Sequence, residues 1–490
     1  MFGSDTMLNQ QRALAVALAA IILLASCAAA GPDYLAPEPA APATWQGAAA
    51  AKVTVAQTAP ADLAIWWRQL GDSTLNGLIE RALQNSLDLR TAQAKLREAR
   101  ARRALAGADR FPAVSASAAA SRTKASAESG NGATLNLYSA GFDASWEPDV
   151  SGGLRRSEEA AQADLDASEA SLHSTQVSLA AEVALNYVEL RAFQSRLDIA
   201  KANAASQSET LNLTRWRAEA GLTTALDVEQ ARSNLEQTRA QIPSLETSRT
   251  EAGHRLEILL GEQPGSLGPA LARPARIPQV PKQVIAPIPV DTLRQRPDVR
   301  AAERKLAAET ARVGVAEAER YPTFTLSGSL GLEALSLGAL TRGGAAAQTL
   351  LGSIAAPVFD AGRIRQQIAI QTAVQEQALV NYESTVLTAL EEAENALAAL
   401  ANTRQRQISL QNATRAARLA ALLARHRYTA GVTDFQTVLD TERTVLALED
   451  SLAASEAEHV SALIQLYKAL GGGWPRVSVE AVASAQGKSS

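Results

Sequence analysis

The 490-residue chain is short of several residue types, and each shortage closes off a class of function. It holds one Cys, Cys27, so an intramolecular disulfide framework and a multi-Cys zinc site are both excluded. Its two Met, Met1 and Met7, precede that Cys. Processing at Cys27 would leave no Met and no free thiol, which excludes soft-metal capture through sulfur by this subunit. There is no excess of positive charge: 47 Lys and Arg stand against 51 Asp and Glu, so a nucleic-acid partner is not expected. The four His (His173, His254, His426, His459) lie far apart, without metal-ligand spacing. Aromatics make up only 4%, yet hydrophobic residues reach 47%, the composition of an ordered chain.

The N-terminus carries a targeting signal. Arg12 precedes an apolar run, Ala13 to Leu24, followed by Ala25-Ser26-Cys27. That run is too short for a bilayer-spanning helix, which takes ~20 residues. A basic flank, a short apolar core and small residues describe a secretory signal over residues 1–26, with initiation at Met7 also plausible. Leu24-Ala25-Ser26-Cys27 resembles a bacterial lipobox, in which the Cys is acylated and becomes the first mature residue. Each buried CH₂ adds ~0.8 kcal/mol, so several acyl chains anchor stably where one is marginal. The position after Cys27 is Ala28 and not Asp, and by resemblance to sorted lipoproteins this implies the outer membrane.

Beyond an Ala/Pro-rich stretch, Ala28 to Pro60, read as an extended linker, the chain repeats itself 210 positions later. Asp88-Leu89-Arg90 matches Asp298-Val299-Arg300, and Arg110-Phe111-Pro112 matches Arg320-Tyr321-Pro322. Arg215, Arg217 and Ala220-Gly221 match Arg425, Arg427 and Ala430-Gly431, and Leu260-Gly261 matches Leu470-Gly471. One offset across a whole half indicates two copies of one supersecondary unit. The expected organisation is an anchor and linker over 27–71, a first repeat over 72–263, and a Pro-rich linker over 264–290. A second repeat follows over 291–473, then a tail over 474–490.

Each repeat opens with a helical run, Leu75–Ala106 and Asp298–Arg320, ended by Pro112 and Pro322. Stretches of strand character follow, near 113–123, 134–147, 323–332 and 349–359, with loops at 124–133 and 333–348. Thr323 to Leu330 alternates polar and apolar, as do Tyr138, Ala140, Phe142, Ala144 and Trp146 with their neighbours, the period of a half-buried strand. About ten residues is the length of a tilted membrane strand. From Leu154 to Ala220, and from Arg363 to Ala430, the chain has neither Gly nor Pro. Each such run could form a helix ~100 Å long. Leu165, Leu172 and Leu179, then Val183, Leu190 and Leu197, recur at coiled-coil spacing. Gly221 and Gly431 suit left-handed C-terminal caps. Further helices are expected over Thr223–Glu251, kinked at Pro243, and Thr433–Leu470.

Four strands cannot close a membrane barrel, and lipid tolerates no open sheet edge. Several copies must therefore share one; three copies give twelve strands. Here the residues resemble a known family. The lipobox with Gly31-Pro32-Asp33-Tyr34, Trp66-Trp67, Gly71-Asp72, Phe111-Pro112, Trp146-Glu147-Pro148-Asp149, Pro357-Val358-Phe359-Asp360-Ala361-Gly362 and Arg427-Tyr428 are similar to the outer-membrane efflux factors. These are the TolC-like, NodT-type lipoproteins of tripartite pumps. The resemblance implies an α+β membrane protein: a homotrimer with a twelve-stranded β-barrel continued by a long α-helical coiled-coil barrel. It also implies an exit duct for small molecules, docked to a periplasmic adaptor and an inner-membrane transporter in a Gram-negative cell. No cofactor is implied beyond covalent lipid on Cys27.

The same resemblance points to Gly221-Leu222-Thr223 and Gly431-Val432-Thr433 as tunnel tips that meet the adaptor. It places Asp227 and Asp440 among acidic residues ringing a closed aperture, and Arg427 and Tyr428 among residues that latch it. Gln436 stands where relatives can carry a bulky apolar residue. Symmetry-related carboxylates around a pore attract cations, and a latch between helix pairs offers a two-state gate. Alternatively, Asp227 and Asp440 are solvated first-turn residues favoured by the helix dipole.

Other clusters read as ordinary surface. Lys95, Arg97, Arg100, Arg102 and Arg103 form a charged helix face. Glu391, Glu392 and Glu394 face solvent or pair with arginines such as Arg404. Gly487-Lys488-Ser489 imitates a phosphate loop but has Val482 where Gly is required. No catalytic constellation is recognisable, and the chain is not expected to be an enzyme. A protein-secretion exit and a lipid-anchored, non-channel coiled-coil scaffold are the alternatives; the four alternating strands speak against the scaffold.

Overall fold

The computed structural model describes residues 29–38, 41–56, 61–272 and 274–474. The signal segment, Cys27 and the tail from 475 onward lie outside the described residues. In chain order the main elements are β1 (Val53–Ala56), α1 (Ser73–Asn85), α2 (Leu87–Ala108), β2 (Ala113–Lys124) and β3 (Thr134–Trp146). Next come α3 (Gly153–Glu219), α4 (Ala225–Leu259), β4 (Val284–Pro287), α5 (Pro289–Gln295) and α6 (Pro297–Ala318). The chain closes with β5 (Thr323–Ala334), β6 (Ala346–Ala355), α7 (Arg363–Thr429) and α8 (Phe435–Ala469). Contacts divide it into two compact units.

The first unit holds Lys95–Glu169 and Ala301–Tyr382 with residues 29–37. Its centre is an antiparallel sheet ordered β2-β3-β5-β6. The sequence places all four strands, but the last lies earlier than its expected 349–359. Pro357 has no N–H to give a ladder, and pairing stops at Ala355. Asp149 and Asp360 turn the chain from strand into long helix. Asp149 accepts from the N–H groups of Leu154 (3.1 Å) and Arg155 (2.8 Å), and Asp360 from those of Gly362 (2.9 Å) and Ile364 (2.8 Å). These carboxylates satisfy helix-start donors that otherwise have no partner.

Gly31-Pro32-Asp33-Tyr34, expected as part of an extended linker, is clasped onto this unit. Arg156, buried, donates to the carbonyls of Ala30 (3.0 Å) and Gly31 (3.2 Å) and to Asp33 (2.7 Å). A Cβ on Gly31, whose φ is +83°, would lie 2.4 Å from the Cα of Gly314. Two glycines are needed for that approach. The Tyr34 hydroxyl donates to Glu303 at 2.5 Å.

The second unit, which holds Glu38–Ala94, Ala170–Arg300 and the chain from Glu383 to Trp474, carries the main core. Trp66, Leu75, Ile79, Tyr187, Leu256, Leu463 and Tyr467 are almost wholly buried there, and Trp66 stacks on Tyr467 at 5.3 Å. From the heptad pattern, Leu179, Val183 and Leu190 join this core, while Leu197 packs with Ala200 and Leu245. Helix α4 runs on through Pro243. The two Pro-rich stretches correct a second expectation: β1 and β4, one from each, pair in parallel. Trp45 donates to the Pro287 carbonyl at 2.8 Å.

The opening helix of the first repeat, expected over Leu75–Ala106, is two helices, whereas that of the second, expected over Asp298–Arg320, is the single helix α6 with the short α5 before it. In the second repeat Pro297 holds Arg296 extended at φ −62°, ψ 122°. The first repeat has Leu87 at the matching place, yet Ser86 is extended too, at φ −53°, ψ 136°. The buried Arg296 explains one side of this asymmetry. It donates to Asp298 (2.6 Å), to Glu392 (2.7 Å) and to the Ala469 carbonyl (2.9 Å). Glu392 thus pairs with Arg296 rather than Arg404, and Glu394 accepts from the N–H groups of Gln46 (2.7 Å) and Gly47 (2.9 Å).

Candidate functional site

Two places carry functional geometry, one in each unit. In the first unit it is the sheet. Facing partners sort its residues by side: Phe324, Leu326, Leu330 and Leu332 share one face with Phe142, Ala140, Val114 and Ile354. The opposite face holds Ser115, Ser117, Asp143, Ser145, Ser327, Ser329 and Thr349, and Ser117 donates to Asp143 at 2.9 Å. The apolar face is open to solvent: Phe142 is 62% exposed, Leu330 63% and Ile354 68%. At the strand-to-helix end stand four exposed aromatics, Phe111, Trp146, Tyr321 and Phe359. Apolar strand faces bordered by an aromatic girdle are the pattern of a sheet set in lipid. The outer edges of β2 and β6 carry no strand partner among the described residues.

In the second unit it is the pair of turns. Gly221 (φ +69°) and Gly431 (φ +76°) take the left-handed conformation expected of them. Each closes a Schellman cap: Leu222 N–H to the Arg217 carbonyl (2.8 Å) and Gly221 N–H to that of Ala218 (3.0 Å). The second repeat does the same with Val432 to Arg427 (2.9 Å) and Gly431 to Tyr428 (3.0 Å). Leu222 and Val432 are exposed, at 66% and 62%, beside Thr223 and Thr433. Each turn thus leaves one apolar side chain in solvent.

Beyond the turns the two repeats start their helices with the same partners reversed. Thr224 caps α4, and Asp227 three residues on accepts from the Thr224 N–H at 3.1 Å, a capping box. Asp434 caps α8 and accepts from the Thr437 N–H at 3.0 Å and its hydroxyl at 2.7 Å. Burial pushes the Asp227 carboxyl up, but bonds from Thr223 and Thr224 outweigh it and hold it below the usual range. Hydrogen bonds from Thr437 hold Asp434 low, against a smaller opposing push from the Asp227 charge. Asp440 is exposed and accepts from Gln436 of its own helix at 2.9 Å.

The structure separates Arg427 from Tyr428. Arg427 is exposed, whereas Tyr428 is 3% exposed and sits in a small core with Leu211, Leu235, Phe435 and Leu439. Sequence reasoning missed Arg217, which lies over the Tyr428 ring, Asp434, and Glu442, which accepts from Thr210 at 2.6 Å. The repeat offered a signal for Arg217, since it matches Arg427.

A family model described as outer membrane efflux protein matches residues 78–262 and again 288–472. The chain belongs to the outer membrane efflux protein family. Among curated relatives, the pyoverdine export outer membrane protein OpmQ of Pseudomonas aeruginosa is 34% identical, over 93% of this chain and 96% of that one. Nodulation protein T of Rhizobium leguminosarum bv. viciae is 32% identical, over 94% and 95%. Among solved structures, the outer-membrane channel OprN superposes with a TM-score of 0.86 at 38% identity, covering 91% of this chain and 99% of that one. The efflux protein is thus a transport component of the Gram-negative outer membrane with the TolC-like fold, and its two matched segments coincide with the two repeats.

Proposed function

We propose that this efflux protein works as a homotrimeric exit duct for small molecules, docked to a periplasmic adaptor and an inner-membrane transporter. Its single strongest support is a four-stranded sheet with one apolar, girdled face and two edges that have no strand partner among the described residues. Such a sheet is unstable in lipid unless its edges are paired. Three copies supply twelve strands, and the long helices α3 and α7 of the copies line a tunnel ending at the turns. The exposed tips Gly221-Leu222-Thr223 and Gly431-Val432-Thr433 meet the adaptor. Asp440 and Asp227, with Gln436, face the aperture; Arg427 latches it, and the buried Tyr428 ring orients the latch. Acyl chains on Cys27 hold the N-terminus in the outer membrane. A scaffold has no use for the apolar sheet face, which favours the duct.

Purified full-length protein in planar bilayers should conduct, with a lean toward cations, and should run as a trimer in detergent. A non-conducting, detergent-indifferent monomer would end the reading. Replacing Cys27 by Ser should abolish acyl labelling; retained label would remove Cys27 as the site of lipid attachment while leaving the duct.

A further inference from the structure

The sheet sorts its charges by face. Strands β2, β3 and β5 carry two bases, Arg122 and Lys124, and two acids, Asp143 and Glu333, while β6 carries no charge. Facing partners fix the side of each. Arg122 faces Asn136 and Lys124 faces Thr134, in the row that continues Val114, Ala116, Ala118 and Ala120 along the apolar face. Asp143 faces Ser115 and Ser329, and Glu333 faces Ser139, all on the opposite, polar face. Because side chains alternate with period two, both bases of the sheet stand on the apolar side and both acids on the other.

The two bases also stand at one border of the apolar row. Along β2 and β3 that row ends at the facing pair Ala120–Tyr138, and the next two pairs on this face are Arg122–Asn136 and Lys124–Thr134. Trp146 closes the same face at the strand-to-helix end, which leads into the long helices on the periplasmic side. At ~3.4 Å per residue and a tilt of about 40°, Trp146 and Asn136 stand roughly 26 Å apart along the membrane normal. That is the height of the apolar band of a membrane barrel, about 25 Å. Arg122 and Lys124 therefore lie at the border away from the periplasm, at the level of the outer-leaflet headgroups. Both are exposed, and neither forms an ion pair with a described residue. Glu128, the acid of the following loop, lies beyond the ladder.

Resting on the lipid-set sheet proposed above, we infer that Arg122 and Lys124 form a binding site for the phosphate of an anionic glycolipid in the outer leaflet. Two residues apart on one strand face, their Cα atoms are about 7 Å from each other, so both side chains reach a single group. A planar guanidinium gives phosphate oxygens two parallel donors, and an ammonium adds a compact second charge. Asn136, opposite Arg122, contributes an amide that donates without bringing a carboxylate near the anion. Long basic side chains at this height extend their charge toward the headgroups while their stems cover apolar surface. The sorting removes the competitors: Asp143 and Glu333, which would otherwise neutralise the bases, are turned to the polar face. The occupant is a lipid rather than a soluble anion because the site borders the apolar row and faces the same way.

Binding of labelled lipopolysaccharide to the full-length protein in detergent tests the site. The probes are lipopolysaccharide with its lipid phosphates intact, the same material after enzymatic dephosphorylation, and inorganic phosphate as a competitor. The parent should prefer the phosphorylated form. A base near an anionic membrane surface is worth roughly fivefold in affinity, so Arg122→Gln with Lys124→Gln should lose roughly twenty-fivefold and most of the preference. Arg122→Lys with Lys124→Arg, which keeps both charges, should retain the preference. Glu333→Gln, on the polar face, should bind like the parent. Millimolar inorganic phosphate should compete poorly.

Equal binding of the two lipopolysaccharides by the parent would overturn the site, as would a double Gln variant that binds like the parent. Competition by inorganic phosphate as effective as by the lipid would overturn the lipid as occupant. Melting curves show whether the double Gln variant is folded; if it is not, the parent's own preference and the charge-keeping variant still decide. A parent that conducts in planar bilayers but ignores the phosphate sinks this inference alone, whereas a parent that does not conduct sinks the duct.

Discussion

The guanidinium of Arg217 lies over the ring of Tyr428, with its central carbon 4.7 Å from the ring centroid. The same ring meets Phe435 at 5.6 Å. Arg217 also donates to the Thr429 carbonyl at 3.2 Å, so one side chain ties the end of α3 to the end of α7. The Tyr428 hydroxyl is buried and has no hydrogen-bond partner among the described residues. The ring, rather than the hydroxyl, therefore holds the tip. Tyr428→Phe should keep closed-state conductance and melt no earlier than the parent. Tyr428→Ala should cost about 3–5 kcal/mol, the range for deleting a buried aromatic ring, and raise basal conductance. Thermal unfolding and single-channel recording of both variants check this. Loss of closure in the Phe variant would return the latch to the hydroxyl.

Glu442 makes the same region sensitive to pH. Burial pushes its carboxyl above the usual 4.5, only partly opposed by the Thr210 bond and the Arg425 charge. A folded state that holds this proton more tightly than the unfolded chain loses stability as pH rises through the interval between the two values. Below that interval the penalty is absent; above it the penalty is complete. Glu442→Gln should therefore melt like the parent at pH 4 and above it at pH 7, in matched thermal scans across that range. Asp227 and Asp434 have the opposite sign, being held low, but they are common to both proteins and cancel in the comparison. A constant difference between the two proteins at every pH would rule out titration of Glu442.

The sequence was legible where one local rule dominates. The absence of Gly and Pro marked α3 and α7 to within a residue, and Gly221 and Gly431 marked their caps. Alternation found all four strands of the sheet. It failed where a contact distant in the chain decides. Nothing local in Val53–Ala56 says that it pairs with Val284–Pro287, and two Pro-rich stretches read as linkers. The break at Ser86 carries no Pro to announce it, although its mate at Arg296 does. At the tip, Asp227 and Asp440 could be named from the sequence, but Asp434 and the partners of all three could not. Thr224 and Asp227, exchanged in order as Asp434 and Thr437, are invisible to an alignment that matches residues one to one.

The sheet makes a sharper demand on glycine than the turns do. A Cβ on Gly331 would lie 2.7 Å from the Ala140 carbonyl oxygen, and one on Gly352 meets nothing within 4 Å. Both residues sit in strands, where Gly is otherwise a weakness. Gly331→Val should block pairing of β3 with β5 and so prevent stable insertion, while Gly352→Ala should assemble normally. Outer-membrane fractionation and the trimer band on unheated gels distinguish the two. Normal assembly of Gly331→Val would show that the hairpins meet less closely than 2.7 Å implies.

Asp440 and Asp227 separate a pore charge from a structural one. Asp227 completes a capping box, and caps of this kind are worth about 0.5–2 kcal/mol. Asp227→Ala should therefore lower stability as well as alter conductance. Among the described residues the Asp440 carboxylate bonds to Gln436 alone, one turn back on its own exposed face, so its removal should leave the helix intact. Three such carboxylates around a narrow opening would nonetheless draw cations, at a distance where salt screens within ~8 Å at physiological strength. Asp440→Ala should reduce the cation lean most at low salt, with a melting curve that overlays the parent. Reversal potentials in asymmetric salt at two ionic strengths provide the measurement. If Asp440→Ala leaves selectivity untouched at low salt, the acidic ring is not formed by this residue, and Asp227 and Asp434 remain the carboxylates placed beside the tip turns.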